Sequence, residues 1–243
     1  MASDEKKVPA GKMSGQRSAK GGSRSDIDAF LRDAKALAPA SGGGGRLIFA
    51  LDATMSRQPT WDTACRLQGE MFEEAAKIGS LTIQLVYFRG FNECRASRWV
   101  SDGRALRDLM TGIDCRGGNT QIGKVLRHAR GETGKKKVAV LIFIGDALEE
   151  PVDKLAAIAG ELGLLGVKAF MFQEGDDPSV RRAFQEIARL TGGAYGAFNS
   201  GSAARLATLL RAAAAYAAGG RNALEALSAR EADARPLLAQ LKG

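Results

Sequence analysis

The chain has 243 residues, 45% of them hydrophobic, enough for one sizeable α/β core without a division into two domains. Its 35 basic and 27 acidic residues leave a net charge of +8, which suits a nucleic-acid or membrane-surface partner, yet Lys6, Lys7, Lys12, Arg17, Lys20 and Arg24 place much of that excess in an N-terminal tail. The longest apolar run, 138–144, is far below the roughly 20 residues that span a bilayer, the N-terminus lacks the apolar centre of a signal peptide, and Cys65, Cys94 and Cys115 are spaced too widely for a zinc pair, so we expect a soluble, cytoplasmic protein with reduced thiols.

Residues 1–25, interleaving charge with Gly, Ser and Ala, are expected to be a disordered basic tail. Ile27, Phe30, Leu31 and Leu37 predict a short amphipathic helix over 26–37, and the glycines of 41–45 then break the chain. That glycine run precedes a strand instead of joining a strand to a helix, so it reads as a flexible linker and not as a phosphate cradle. The first strand is predicted at 46–51, followed by a helix over 60–78 with Leu67, Met71, Phe72, Ala75 and Ile78 on one face. Strands at 81–88 and 93–100 stand too close for a helical crossover, which makes the third strand antiparallel to the second.

Short helices at 105–111 and 120–130 flank the turn Cys115-Arg116-Gly117-Gly118-Asn119, and the most apolar strand follows at 138–144. A helix over 152–165, a strand at 167–172, a helix over 178–190 ended by Gly192-Gly193, and a strand at 195–198 complete the alternation. The chain closes with an alanine-rich helix over 202–218 and a helical stretch over 222–241 broken at Pro236. Strands separated by helices predict an α/β fold: a Rossmann-like, doubly wound, mostly parallel six-stranded sheet with one antiparallel edge strand and helices on both faces. Its first and fourth strands are expected to be neighbours at a topological switch, where such sheets bind ligands.

Chemistry concentrates at that switch. The apolar run Leu47-Ile48-Phe49-Ala50-Leu51 ends in Asp52-Ala53-Thr54-Met55-Ser56, which sets one carboxylate and two hydroxyls at alternate positions. Hard divalent cations such as magnesium or manganese take oxygen ligands of this kind. Thr120 sits in a glycine turn before a helix, and Asp146 follows the fourth strand directly. Asp52, Thr54, Ser56, Thr120 and Asp146 are therefore the predicted oxygen ligands.

In this order and placement, Asp52-Ala53-Thr54-Met55-Ser56, Gly118-Asn119-Thr120 and Gly145-Asp146 resemble the signature of the von Willebrand factor type A (VWA) family and its metal-ion-dependent adhesion site. The resemblance covers 46–218, which leaves 26–45 as short helix and linker and 219–243 as a C-terminal helical extension. It implies that Thr54 and Ser56 bind the metal directly, that Asp52 and Asp146 act largely through water, and that Thr120 is a switch ligand. It implies Mg2+ as cofactor, with Mn2+ or Ca2+ as alternatives, and a partner protein that supplies an Asp or Glu to the remaining position. Two departures stand out: Thr54 replaces a serine, which keeps the hydroxyl, and Asp146 is followed by Ala147-Leu148-Glu149-Glu150 where the family commonly has a glycine. Glu149 and Glu150 are read as the acidic start of the following helix, with competition for the metal as the other reading.

Other chemistries fit less well. A phosphatase of the haloacid-dehalogenase type needs D-x-D, and position 54 is Thr. His128, the one histidine, is read as a helix-surface or core residue, and 131–137 as a solvated turn. Trp61 suits either a partner anchor on the rim of the site or packing of a helix's first turn. The tail lacks aromatic residues for base stacking. The sequence thus points to a non-enzymatic, metal-dependent protein-interaction module, with a magnesium-dependent phosphohydrolase or a nucleic-acid-binding adaptor as alternatives.

Overall fold

A computed structural model describes residues 44–199 and 202–241, with the side chain of Ser56 outside the described set. The basic tail, the helix expected over 26–37 and most of the glycine run therefore lie outside the described residues. Six strands form one sheet: β1 (Gly45–Asp52), β2 (Leu81–Arg89), β3 (Glu93–Val100), β4 (Val140–Gly145), β5 (Lys168–Glu174) and β6 (Ala194–Phe198). Their order is β3-β2-β1-β4-β5-β6. β3 runs antiparallel to β2 at one edge, and every other pairing is parallel. The doubly wound architecture expected from the alternation of strands and helices is the one observed.

The period of two along each strand divides the core into two layers. Leu47, Phe49, Leu51, Ile142, Ile144, Phe170 and Phe172 face one layer, covered by helices α1 (Gln58–Ala76), α2 (Gly103–Thr111), α6 (Ala203–Arg230) and α7 (Arg235–Gln240). Ile48, Ala50, Val86, Phe88, Leu141, Phe143 and Met171 face the other, covered by α3 (Ile122–Lys135), α4 (Val152–Leu164) and α5 (Pro178–Thr191). Both faces of the central strands are dry, which is why their sequences are continuous apolar runs with no polar alternation. In the second layer Phe143 stacks 6.1 Å from Phe88 and meets the edge of Phe184 at 5.5 Å, a cluster in which each ring contributes about 1.5–3 kcal/mol by burial.

Two local expectations are corrected. Residues 131–135 are not a turn but the last turns of α3, held there because Glu132 accepts from Trp99 Nε1 at 3.1 Å and pairs with Arg46 at 3.2 Å. The C-terminal stretch does not break at Pro236. Helix α6 kinks at Gly219-Gly220, where Gly220 has a φ of +67°, then ends at Arg230, and Pro236 sits in the first turn of α7. A proline is tolerated in a first turn because its missing N–H has no intrahelical acceptor to lose. Beyond the kink, Leu224, Leu227, Leu237 and Leu241 belong to the first core layer. No helix among the described residues is long and apolar enough to cross a membrane.

Because β1 connects to β2 through α1 on one face and β4 connects to β5 through α4 on the other, the chain leaves the ends of β1 and β4 in opposite directions. The parting of those connections opens a crevice at the C-terminal edge of the sheet.

Candidate metal centre

Leu51 of β1 pairs in register with Ile144 of β4, so Asp52 and Asp146 stand close to level at the ends of neighbouring strands. Asp52 is only 4% exposed, and its Oδ1 accepts the Thr54 amide at 2.8 Å. Burial pushes its carboxyl up to about 6; bonds from the Thr54 amide and hydroxyl pull it down, the neighbouring Asp146 adds to the rise, and Arg57 opposes it. Burial that outweighs these local donors leaves a carboxylate whose ionised form a further cation would stabilise.

Thr120 is brought to the same place by a loop stitched to β1 and to the β2–β3 hairpin. The Arg116 amide donates to Ala53 O at 2.9 Å, and the Asn119 amide to Gly90 O at 3.2 Å. Gly118 presses on the hairpin so closely that a Cβ there would lie 2.1 Å from Gly90 O. The glycine turn seen in the sequence is thus required by backbone approach. Thr120 is buried, its amide donates to Glu149 Oε2 at 2.8 Å, and its Oγ1 accepts the Glu149 amide at 3.0 Å.

Glu149 and Glu150 do not serve the start of their own helix. Glu150 accepts the amides of Ile122 and Gly123, the latter at 3.0 Å, and so caps α3, which has no acidic residue in its own first turn. Acidic side chains do complement a helix N-terminus here, as expected, but it is the neighbouring helix.

Asp52, Thr54, Thr120 and Asp146 line one cleft of about 210 Å³, together with Met55, Gly117, Gly118, Ala147 and Glu149. Four of the five predicted ligands therefore converge, while Ser56 lies in the turn Met55–Arg57 with its side chain outside the described residues. Among the described residues no group of three His, Cys, Asp or Glu is arranged to hold a metal by itself. The oxygen donors gathered at this cleft, the hydroxyls of Thr54 and Thr120 beside the carboxylates of Asp52, Asp146 and Glu149, are of the kind that suits a hard divalent ion. Burial pushes the thiols of Cys65 and Cys115 up to about 11, away from the thiolate form, and His128 lies on α3 with its Nε2 2.9 Å from Gln84 Oε1.

No protein-family model matches the sequence, and no curated protein matches it. Solved structures do. A von Willebrand factor type A protein from Catenulispora acidiphila superposes with a TM-score of 0.57 at 17% identity, covering 73% of this chain and 43% of that one. The SpRpn10 VWA domain gives 0.53 at 12% identity, covering 73% of this chain and 98% of that domain. This chain has a VWA-like fold. Proximal thread matrix protein 1 from the mussel byssus, with a zinc-occupied MIDAS motif, gives 0.56 at 15% identity, covering 71% of this chain and 46% of that one. The chain thus spans under half the length of the first and third of these proteins.

Around the cleft of this VWA-like domain the structure adds residues that the sequence reading missed. Arg57 and Glu174 form an ion pair behind Asp146, and Thr60 donates its hydroxyl to Glu174. The signal was present in part: Glu174 closes an apolar strand with a carboxylate, the same pattern that singled out Asp52. Trp61, for which two readings stood open, is buried against Tyr87 and donates to Met110 O at 3.3 Å, so it packs the first turn of α1. The exposed apolar groups near the cleft are Met55, 63% exposed on its lining, and Phe91, 82% exposed on the hairpin that the Thr120 loop grips.

Proposed function

We propose that this VWA-like domain is a metal-dependent protein-interaction module, an adaptor or scaffold in which Asp52, Thr54, Ser56, Thr120 and Asp146 hold a Mg2+-type ion for an acidic side chain of a partner. The observation that carries this reading is the convergence of four of these residues on one cleft at the switch point of the sheet. A zinc-occupied MIDAS motif in a neighbour of the same fold supports a divalent ion. Mg2+ is the best match to the oxygen donors, with Mn2+ or Ca2+ as alternatives.

The charge of the cleft favours the same scheme. Asp52, Asp146 and Glu149 all line it, so a partner's carboxylate would meet like charge; two unit charges 4 Å apart repel by about 4 kcal/mol at an effective dielectric constant of 20. When bound, a divalent cation supplies the electrophilic position that turns this repulsion into a bridge. The chain's own residues provide the rest: Thr54 orients Asp52, and Glu149 fixes Thr120. Met55 and Phe91 offer apolar contacts beside the bridge.

A non-enzymatic role is supported by Thr54 standing where a phosphatase would need its second carboxylate. A cytoplasmic setting is supported by three free cysteines. The experiment is a pull-down that compares wild type with Asp52→Ala, with and without magnesium. Prey lost both from the variant and from the metal-free sample identifies the bridged partner; prey indifferent to both overturns the reading.

A further inference from the structure

Arg57 directly follows the last hydroxyl of the D-x-T-x-S motif, yet its side chain points away from solvent. The residue is 2% exposed, is paired with Glu174 Oε2 through Nη1, and keeps the same nitrogen 3.7 Å from Asp146 Oδ2. Thr60, in the first turn of α1, donates its hydroxyl to Glu174 Oε2. The groups Thr60, Glu174, Arg57 and Asp146 therefore form a file that runs from α1 past the end of β5 to the end of β4. A guanidinium this deeply buried needs compensating charge, and these two carboxylates supply it.

Asp146 is the outermost member of the file. Its side chain is 31% exposed, with Arg57 on its inner side and the cleft lined by Asp52, Thr54 and Thr120 on the other. It follows β4 directly and has no helix of its own to hold it, since α4 begins only at Val152. The same Nη1 faces both carboxylates, and the rigid planar guanidinium keeps it in a fixed relation to them, whereas a lysine ammonium is a point charge on a flexible stem with freely rotating donors.

We propose that Arg57, clamped by Glu174, is the positioning residue of the metal centre: it holds the Asp146 carboxylate in the orientation from which that group serves a cation in the cleft. This rests on the reading of the cleft as a metal centre. The Arg57–Glu174 pair is neutral as a whole, so its effect on the cleft is one of geometry more than of field. Groups that orient metal-supporting residues in this way are worth roughly 10–100-fold in metal affinity.

The test is a Mn2+ titration, read by the electron paramagnetic resonance signal of the free ion, on the full chain. The variants are Arg57→Gln/Glu174→Gln, which keeps the net charge, and Arg57→Lys, which keeps the cation but replaces the rigid planar group with a flexible stem. Thermal melting in EDTA checks that each is folded. Affinity is expected to fall roughly 10–100-fold in the double variant and by a similar factor in Arg57→Lys. Adding Asp146→Ala to the double variant is expected to cause no further loss beyond that of Asp146→Ala alone, because the pair acts through Asp146.

A double variant that binds Mn2+ within about threefold of wild type, or more tightly, overturns the proposal while leaving the metal reading intact. Should the double variant lack a cooperative melt, Arg57→Lys decides by the same criterion. Failure of wild type to bind Mn2+ overturns the metal reading itself, and the positioning role with it.

Discussion

Thr120 and Glu149 bond each other twice: the Thr120 amide donates to Glu149 Oε2 at 2.8 Å, and the Glu149 amide donates to Thr120 Oγ1 at 3.0 Å. With Glu150 on the amides of Ile122 and Gly123, this joins the loop before α3 and the loop after β4 into one unit. Glu149→Ala is expected to destabilise the domain by about 1 kcal/mol, a fall in thermal midpoint of about 2–4 °C for a domain of this size. Glu149→Gln, which retains an acceptor for the Thr120 amide, should recover most of that. Equal losses in the two variants would show that the negative charge, and not the bond, fastens the loops.

Millimolar Mg2+ or Mn2+ is expected to raise the thermal midpoint, since a ligand held at 100 times its dissociation constant stabilises the native state by about 2.7 kcal/mol. EDTA should reverse the rise. Asp52→Ala and Thr120→Ala should abolish it. A midpoint indifferent to metal in the wild-type protein would remove the basis for a metal-bridged partner.

Gly118→Ala would bring a methyl group to within 2.1 Å of Gly90 O unless the loop retreats, and retreat breaks the bond from the Asn119 amide to the same oxygen. We expect a loss of about 2 kcal/mol and a weaker response to metal, because Thr120 moves with the loop. Gly117→Ala, where a Cβ meets nothing within 4 Å, is the control and should melt near wild type. Differential scanning fluorimetry with and without Mn2+ measures both effects.

Burial lowers the pKa of His128, so the unfolded chain takes up its proton more readily than the fold does. The stability that the neutral imidazole contributes is present above the ordinary histidine pKa of 6.5 and is lost as the pH falls below it. Urea midpoints in EDTA should therefore drop less between pH 7.5 and 5.5 in His128→Gln than in wild type. Asp52, held up to about 6 by burial, works in the opposite sense in both proteins, so the difference between them is the quantity to read. A steeper drop in the variant would contradict the assignment.

Much of the architecture was legible because burial on two faces demands unbroken apolar runs. Phe49 to Leu51 and Leu141 to Ile144 mark β1 and β4 for that reason, and the abrupt change to Asp52 and Asp146 marks their ends. The antiparallel edge followed from the shortness of the link between β2 and β3. Helix ends were less legible: α3 runs on to Lys135 through two glycines because Glu132 is anchored by Arg46 and Trp99, residues on other elements. The kink in α6 likewise depends on the first core layer that Leu224 and Leu227 join beyond it.

The sequence by itself determined the order of elements, the strand ends and the oxygen-bearing residues placed on them, since these depend on local periodicity and on which residues follow an apolar run. Tertiary structure alone decided the partners of those residues. Thr60 reaches Glu174 across 114 residues, and Thr120 reaches Glu149 across 29, only because β1, β4 and β5 lie side by side. Hydrogen bonds and ion pairs act over a few ångströms of space with no regard to distance along the chain, so Arg57, Glu149 and Glu174 acquired their places at the cleft when the sheet was assembled.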